Sequence, residues 1–545
     1  MIADEQLKLA LAEWASCLSQ EHVIFTEDVL ERYARSSSAS SRRPAAVLKP
    51  GRTEEVAAIV KIARRHLAPL YPISTGLNWG YGDACAVFPG QVIVDLSRMN
   101  RILSLDRELG YAVIEPGVTQ AQLADALTRE DVPFWMDCTG ASPHSSLIGN
   151  ILERGFGHTP YGNRLLTISG LEVVLGTGDV VHTGFGHFAD AKPTHVFPYG
   201  VGPYIDGLFT QSNFGIVTRV GLWLLPKPEA CRPFLCFFAE DEDFLRCVEP
   251  LRELRMQRVL QSVAHVANDL RAISGERSFP RDLVPTGARL PEGVRLGLRQ
   301  VYGVGAWTLT GALYGPSAQV RLQGRLLRRA LSGARARVVV LSERKLTWAE
   351  RFAPAIERSG LIPGLSPKLR AARSLAGLLS GQPSAAFLRG SYWRRREGIP
   401  NDLSDASDPA ADGCGILWLT AVLPFRASDV KGLSVALEEV FATHGFDFLA
   451  TLSMISERAL VAIVTIAFDP SDPSEAERAR ECYRAGLRRA LELGYPPYRV
   501  GIDAMDLLGQ DGEDEFWKAT EALKRALDPD GIIAPGRYQP GAFGS

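Results

Sequence analysis

The chain reads as an α+β protein in more than one part, on two observations. Short apolar β runs alternate with amphipathic helices over residues 45–120. Near residue 228 that dense β/α texture gives way to longer helices mixed with separate strands. A length of 545 residues admits two to four domains.

The elements follow from local signals. "MIADEQLKLALAEWASCLSQ" reads as an amphipathic helix, with Asp4, Glu5 and Lys8 excluding a signal peptide. "SSSASS" at 36–41 reads as a mobile loop. "AAVLKP" is a strand. "TEEVAAIVKIARRHL" is a helix, with Thr53 placed to cap it and Glu54 and Glu55 in its first turn. "QVIVDLS" and "YAVIEPG" are strands, and "TQAQLADALTRE" is a helix capped by Thr119. "LEVVLGTGDVVHTG" places two β runs around Gly176–Asp179, a hairpin signal. "FGIVTRVGLWLLPKP" is a strand ended by Pro226 and Pro228. Beyond it, "DEDFLRCVEPLRELRMQ", "RASDVKGLSVALEEVFATHG" and "SEAERARECYRAGLRRALELG" read as helices, the second stopped by Gly445. "ALVAIVTIAFD" is a strand, and 365–398 has weak periodicity.

Composition narrows the function classes. Apolar residues make up 46% and charged residues 22%, with a net charge of -2. That balance points away from nucleic acid and from an anionic membrane surface. No apolar run approaches the length of a membrane span. The 8 cysteines show no CxxC pair, so neither a zinc site nor a disulfide framework is expected, and a reducing cytoplasm fits.

The loop "PISTGLNWGYGDACAVFPG" (72–90) joins two apolar β runs and carries Gly76, Gly80 and Gly82. Glycine permits positive φ and close backbone approach, and successive N–H groups then form a nest for an anion such as phosphate. The same glycines also serve a long turn that holds nothing.

That loop is one of five motifs. With "IGNILERGFGHTPYGNR" (148–164), "FPYGVGPYIDGLFTQSNFGIVTRVGLWLLPKP" (197–228), "GYPPYRVGIDAMD" (494–506) and "DPDGIIAPGRY" (528–538), it resembles the vanillyl-alcohol oxidase / 4-cresol dehydrogenase flavoprotein family, in the family's order, over roughly residues 40–545. The resemblance implies a two-part FAD-binding domain of the p-cresol methylhydroxylase type, residues 1–228 and 496–545, with an α+β cap domain, residues 229–495, over the flavin. It implies that Ser74, Thr75, Gly76, Leu77, Asn78, Trp79, Gly80 and Tyr81 cradle the FAD pyrophosphate. The family often has Arg where Leu77 stands. Ser142, Ser146, Gly149, Asn150, Gly157, His158, Ile216 and Val217 complete the implied cofactor set, with Arg499 and Arg537.

The resemblance also implies a phenol-binding set: Tyr81, Tyr498, Arg499 and Arg537. A phenol has a pKa of about 10, so binding it as phenolate at pH 7 requires about 4 kcal/mol. One cation about 4 Å away supplies roughly 4 kcal/mol at an effective dielectric near 20. Two tyrosine hydroxyls donating to the charged oxygen add roughly 1.5–3 kcal/mol each. Hydride then leaves the carbon on the para position, and a para-quinone methide results.

Two departures from the family pattern matter. The position used by some members for a covalent flavin link falls on Ile416, with Cys414 two residues away on the same strand face, so FAD is expected to bind non-covalently. The Asp that the family's alcohol oxidases carry near the flavin is replaced by Ala141 or Ser142, leaving His144 or His158 as alternative bases. The missing Asp favours oxidative decarboxylation of a phenolic acid, such as an N-acyl tyrosine, or simple dehydrogenation. Trp418 and Ile416 are expected at the substrate pocket, and Arg394, in "RGSYWRRREG", at a substrate carboxylate or on a solvated face. The electron acceptor is dioxygen or a separate protein, no metal is expected, and a homodimer carries over from the family. The alternatives are an FAD oxidase of a non-phenolic alcohol or sugar, and a flavin-binding scaffold without turnover.

Overall fold

The computed structural model describes residues 4–38, 40–285, 287–358, 365–401, 403–509 and 514–543. Its first sheet pairs three parallel strands, Ala46–Leu48, Val92–Asp95 and Leu70–Ile73, with Val92–Asp95 in the middle. Val23–Ile24 runs antiparallel at one edge. Parallel neighbours need a crossover of a dozen or more residues. The outer parallel strands Ala46–Leu48 and Leu70–Ile73 are connected by the helix Thr53–His66. Between the paired neighbours Leu70–Ile73 and Val92–Asp95 the crossover is the glycine-rich loop, which therefore leaves from the carboxyl end of a parallel strand, where α/β sheets bind ligands.

The second sheet is antiparallel, in the order Ile102–Asp106, Tyr111–Ile114, Gly215–Trp223, Ile168–Leu175, Val180–His182. The last two form the hairpin expected around Gly178, whose φ is +83°. The helix Gln120–Arg129 starts at Thr119 with a complete capping box, Thr119 paired with Gln122. The third sheet has seven antiparallel strands, in the order Ala336–Val340, Ala230–Phe238, Trp307–Gly315, His265–Asn268, Leu449–Ser453, Ala459–Phe468, Gly415–Pro424. The helices Ala427–Thr443 and Pro473–Glu492 cover it around a core that includes Phe234, Phe441 and Phe468. The chain then returns to the first sheet. Leu70 donates its N–H to Ile532 and accepts from Ala534, so residues 532–534 extend the sheet edge. Buried Lys524 holds this return, donating to the carbonyls of Asn213 and Ile533 and to Asp528.

Three local readings are corrected by tertiary contacts. Thr53 is the first helical residue rather than the cap, and its hydroxyl donates to Glu172 at 2.7 Å. The helix expected from Asp241 breaks into Asp241–Leu245 and Val248–Met256. The "SSSASS" stretch is buried at Ser37 and Ser38 and not a free loop, with Ala39 outside the described residues. Asp83 accepts from Ser36 Oγ at 2.6 Å, from the Ser37 N–H at 2.6 Å and from Ser37 Oγ at 2.8 Å. Ser37 Oγ in turn accepts from the Gly80 N–H at 2.9 Å, which ties the N-terminal segment to the glycine loop.

This clasp carries a pH signature. Burial pushes the Asp83 carboxyl up to about 6. A carboxyl raised in the fold binds more protons folded than unfolded, so its stabilisation is full below the unfolded value and is lost as pH rises through the folded one. Two units correspond to about 3 kcal/mol lost between pH 4 and 6. Asp83→Asn, compatible with the φ of +54° there, removes that slope. Urea midpoints from pH 4 to 7.5 check it, and superimposable pH profiles for the two proteins would contradict the assignment.

Candidate active site

A cleft runs along the glycine loop. Residues 71–79 form one wall, Ser145 to Glu153 a second, and Gly215 to Val217 a third. Trp418, Arg499, Ala534 and Arg537 close it. The helix Leu147–Leu152 begins on this wall with Ser146 as its cap, whose Oγ accepts from the Gly149 N–H at 2.9 Å. Gly149 packs closely on the loop: a Cβ there would lie 3.1 Å from Ser74 Oγ and displace it. Gly76 and Gly80 hold φ values of +73° and +75° and turn the loop back on itself. No acceptor among the described residues takes the backbone N–H groups of residues 75–79. Residues 75–79 line the cleft, so their unpaired N–H groups are available to an anionic ligand there.

The polar end of the cleft is built around one carboxylate. Glu153 is 7% exposed and holds both Arg499, Nε at 3.1 Å, and Arg537. Tyr538 donates to it at 2.9 Å. Two guanidinium groups against one carboxylate leave a net positive charge. Arg499 also donates to Asn78 of the glycine loop. Its guanidinium lies over the Tyr81 ring, 4.1 Å from the centroid. Tyr81 and Tyr498 bring their hydroxyl oxygens to 3.5 Å of each other. Burial raises the Tyr81 pKa well above its ordinary value, so this phenol remains a neutral O–H donor at physiological pH. The backbone fixes this arrangement from both sides. The Arg499 carbonyl accepts from Thr420 Oγ1 at 2.6 Å, and the Ile502 N–H donates to the Tyr81 carbonyl at 3.1 Å. Trp418 meets the Tyr81 ring edge-on at 5.3 Å.

The predicted residues separate into three groups. Ser74, Thr75, Gly76, Leu77, Asn78, Trp79, Ser146, Gly149, Asn150, Ile216, Val217, Arg499, Arg537 and Trp418 all line the cleft. Tyr81 and Tyr498 stand beside it, joined to it through Arg499. The rest lie elsewhere. Gly80, expected in the pyrophosphate cradle, gives its N–H to Ser37 Oγ and does not border the cleft. Ser142 is buried and donates to the Asp405 carbonyl, while its neighbour Ala141 reaches the cleft. A Cβ on Gly157 would strike Asp137, so that glycine serves the turn around Asp137. His158 points to the Cys138 carbonyl, and His144 is exposed. Ile416 is fully buried among Trp79, Leu388, Tyr392 and Cys414 and does not border the cleft. Burial raises the Cys414 thiol pKa, which suppresses a reactive thiolate.

Arg394 is the clearest correction. It is 2% exposed and paired with Asp447 at 3.3 Å and Glu475 at 3.2 Å. Its charge is consumed inside the cap, so it neither meets a substrate nor lies on a solvated face. Glu153, Tyr71, Gln211 and Tyr538 were missed. Glu153 stands three residues after Asn150 in the "IGNILERG" motif, and helical spacing from Gly149 and Asn150 marked that face.

The cleft fits FAD. Its lining runs without a break from the glycine loop past Gly149 and Ile216 to the arginine pair, the elongated form that a dinucleotide requires. It offers unpaired N–H groups for a pyrophosphate at residues 75–79 and two arginines at the far end. No group of three or more His, Cys, Asp or Glu side chains suited to a metal occurs among the described residues.

Comparisons with known proteins agree with that geometry. Residues 44–184 match the FAD binding domain model, and residues 430–538 match the C-terminal domain of FAD linked oxidases. The chain is similar to 1'-carboxy-chondrochloren decarboxylase of Chondromyces crocatus, 34% identical over 98% of this chain and 97% of that protein. It is similar to the flavoprotein subunit of 4-cresol dehydrogenase (hydroxylating) of Pseudomonas putida, 30% identical over 98% and 96%. Among solved structures it superimposes on substrate-bound p-cresol methylhydroxylase with a TM-score of 0.87 at 30% identity, covering 99% and 98% of the two chains.

Proposed function

The chain belongs to the vanillyl-alcohol oxidase / 4-cresol dehydrogenase family of FAD-dependent oxidoreductases, and from that premise we propose that it oxidises the benzylic carbon of a para-substituted phenol. The observation that carries this reading is the convergence of Tyr81, Tyr498 and Arg499. Two tyrosine hydroxyls and a guanidinium form a seat for one anionic oxygen, which a sugar or aliphatic alcohol does not present. FAD supplies the two-electron acceptor for hydride.

The residues of this chain do the rest. Tyr81 and Tyr498 donate to the substrate oxygen. Arg499 stabilises it as phenolate, and Glu153 holds Arg499 in place. The ionised oxygen pushes electrons into the ring as hydride leaves, and the substrate becomes a para-quinone methide. With a carboxylate on the adjacent carbon, that species loses carbon dioxide and becomes a vinylphenol without any base. Phenolic acids such as N-acyl tyrosines are therefore part of the proposed range.

FAD is proposed to bind non-covalently, since isoleucine at 416 offers no nucleophile and Cys414 is buried and neutral. All eight cysteines are free thiols, consistent with the reducing cytoplasm proposed here, and no helix among the described residues is long and apolar enough to cross a membrane. The electrons leave to dioxygen or to a protein partner. A homodimer belongs to the proposal. Exposed Phe197, Tyr199 and Tyr204 form an aromatic strip fit to meet a second copy. Tyr199→Asp is expected to shift the mass in sedimentation from dimer to monomer, and a wild-type monomer would remove the proposal.

The test is an anaerobic visible spectrum of the holoprotein before and after adding 4-alkylphenols, N-acyl tyrosines and non-phenolic alcohols. Bleaching by phenols alone is the expected result. Bleaching by alcohols alone, or by nothing, overturns the reading.

A further inference from the structure

A second polar cluster borders the phenol end without belonging to it. His158, in the loop after Leu147–Leu152, packs against His265, the first residue of the strand His265–Asn268. Their ring centroids are 4.2 Å apart. Phe156 spans the distance to the phenol seat, its centroid 5.7 Å from Tyr498 and 6.1 Å from His265. Phe387 flanks the pair 6.4 Å from His158. Phe156, His158, His265, Phe387 and Tyr498 are each only partly buried, so none of the five is sealed in the core.

Hydrogen bonding settles the tautomer of His158. Its Nδ1 lies 3.2 Å from the Cys138 carbonyl oxygen, which only accepts, so Nδ1 carries the proton in the neutral ring. Nε2 then bears a lone pair, and no hydrogen-bond partner for it occurs among the described residues. His265 is oriented by Ser453 Oγ, 2.8 Å from its Nδ1, and its Nε2 is buried with no hydrogen-bond partner among the described residues. The charged groups facing His158 are Asp137, which accepts from its backbone N–H at 3.1 Å, and Arg164, which pairs with Asp137 at 2.8 Å. Asp137 favours the imidazolium, whereas burial, the larger influence, opposes it and lowers the His158 pKa. Burial lowers that of His265 as well. Both rings are neutral at pH 7.

We infer that His158 is the proton acceptor that acts after hydride has left, an assignment that rests on the phenol-oxidising reading. A phenol with its oxygen at the Tyr81 and Tyr498 hydroxyls and its ring along Phe156 turns its para substituent toward the imidazoles. When water adds to the quinone methide, its oxygen bonds to the benzylic carbon and one water proton passes to His158 Nε2. The exocyclic π pair returns through the ring to the oxygen, restoring phenolate. When the side chain desaturates instead, the C–H bond of the adjacent carbon breaks and its proton passes to Nε2. Its electron pair forms the vinyl double bond, and phenolate is again restored. Neither route needs a further oxidant.

The experiment compares two substrates in the FAD-loaded full chain under anaerobic rapid mixing. 4-Ethylphenol gives a quinone methide that must transfer a proton. 3-(4-Hydroxyphenyl)propanoate gives one that loses carbon dioxide instead. His158→Asn places an amide N–H at the position of Nδ1, facing the Cys138 carbonyl, and lacks the basic nitrogen. The flavin is expected to bleach within about threefold of wild type with both substrates. Product formation from 4-ethylphenol is expected to slow at least about 100-fold, and that from the propanoate to stay unchanged. In wild type, the 4-ethylphenol product step is expected to fall as pH drops through the depressed range of His158, while the propanoate product step stays level. That profile decides the matter even if the variant fails to hold FAD. Equal slowing with both substrates, slowed bleaching, or no slowing at all overturns the assignment. A wild-type flavin that no phenol bleaches overturns the phenol-oxidising reading along with it, and so is told apart.

Discussion

Replacing Arg499 with leucine is expected to slow benzylic oxidation at pH 7 by about a thousandfold while the protein still binds FAD. The size follows from ionisation. Bringing a phenol of pKa about 10 to phenolate at pH 7 requires about 4 kcal/mol, or three decades in rate. A guanidinium about 4 Å away supplies an amount of that order. The loss also has a diagnostic pH dependence. Without Arg499 the phenolate must come from solution, so the variant rate rises about tenfold per pH unit toward the phenol pKa, and the deficit closes. Anaerobic bleaching rates with a 4-alkylphenol from pH 6 to 10 measure this. A deficit that is small at pH 7, or that does not close with rising pH, would show that Arg499 does not ionise the substrate. Arg499→Lys is expected to recover only part of the rate. An ammonium keeps the charge but lacks the planar fork that reaches Glu153 and Asn78 from above the Tyr81 ring.

Glu153→Gln is the second large effect, and it acts on stability. The carboxylate is nearly buried and compensates Arg499 and Arg537 together, with Tyr538 as third donor. Glutamine keeps the volume but removes the charge, leaving two guanidiniums facing each other. Breaking a buried pair by removing one partner costs about 3–5 kcal/mol. The flavin-release temperature is expected to fall by about 5–10 °C. The pocket then gains net positive charge, so phenol binding is not expected to weaken in step with the melt. Following flavin fluorescence on heating, beside a phenol titration, separates the two. An unchanged melt would mean that Glu153 is not the group that holds the cations.

Much of this site was legible because it sits in local signals. The alternation in 45–120, the cap at Thr119 and the hairpin at Gly178 depend on residues within a few positions of one another. The glycines of 72–90 report a backbone conformation and not a partner, so they read correctly in isolation. Tyr81, Tyr498, Arg499 and Arg537 came from the motif resemblance, since nothing in their spacing along the chain places them together.

Charges and isolated polar residues were read less well. Arg394 looked free because Asp447 and Glu475 lie far along the chain, on other elements of the cap. "SSSASS" looked mobile because its anchor, Asp83, belongs to another loop. Glu153 looked like an ordinary helix carboxylate until the C-terminal return placed Arg537 and Tyr538 against it. His265, alone at the start of a strand, carried no signal until the third sheet set it against His158. Hydrophobic period and turn chemistry act between near neighbours, so the amino-acid sequence alone determined the elements and the glycine loop. Whether a charge is consumed, or an imidazole left with an unpartnered lone pair, depends on groups brought in from distant segments. In a low-dielectric interior those few ångströms decide the energy, and only the tertiary structure supplied them.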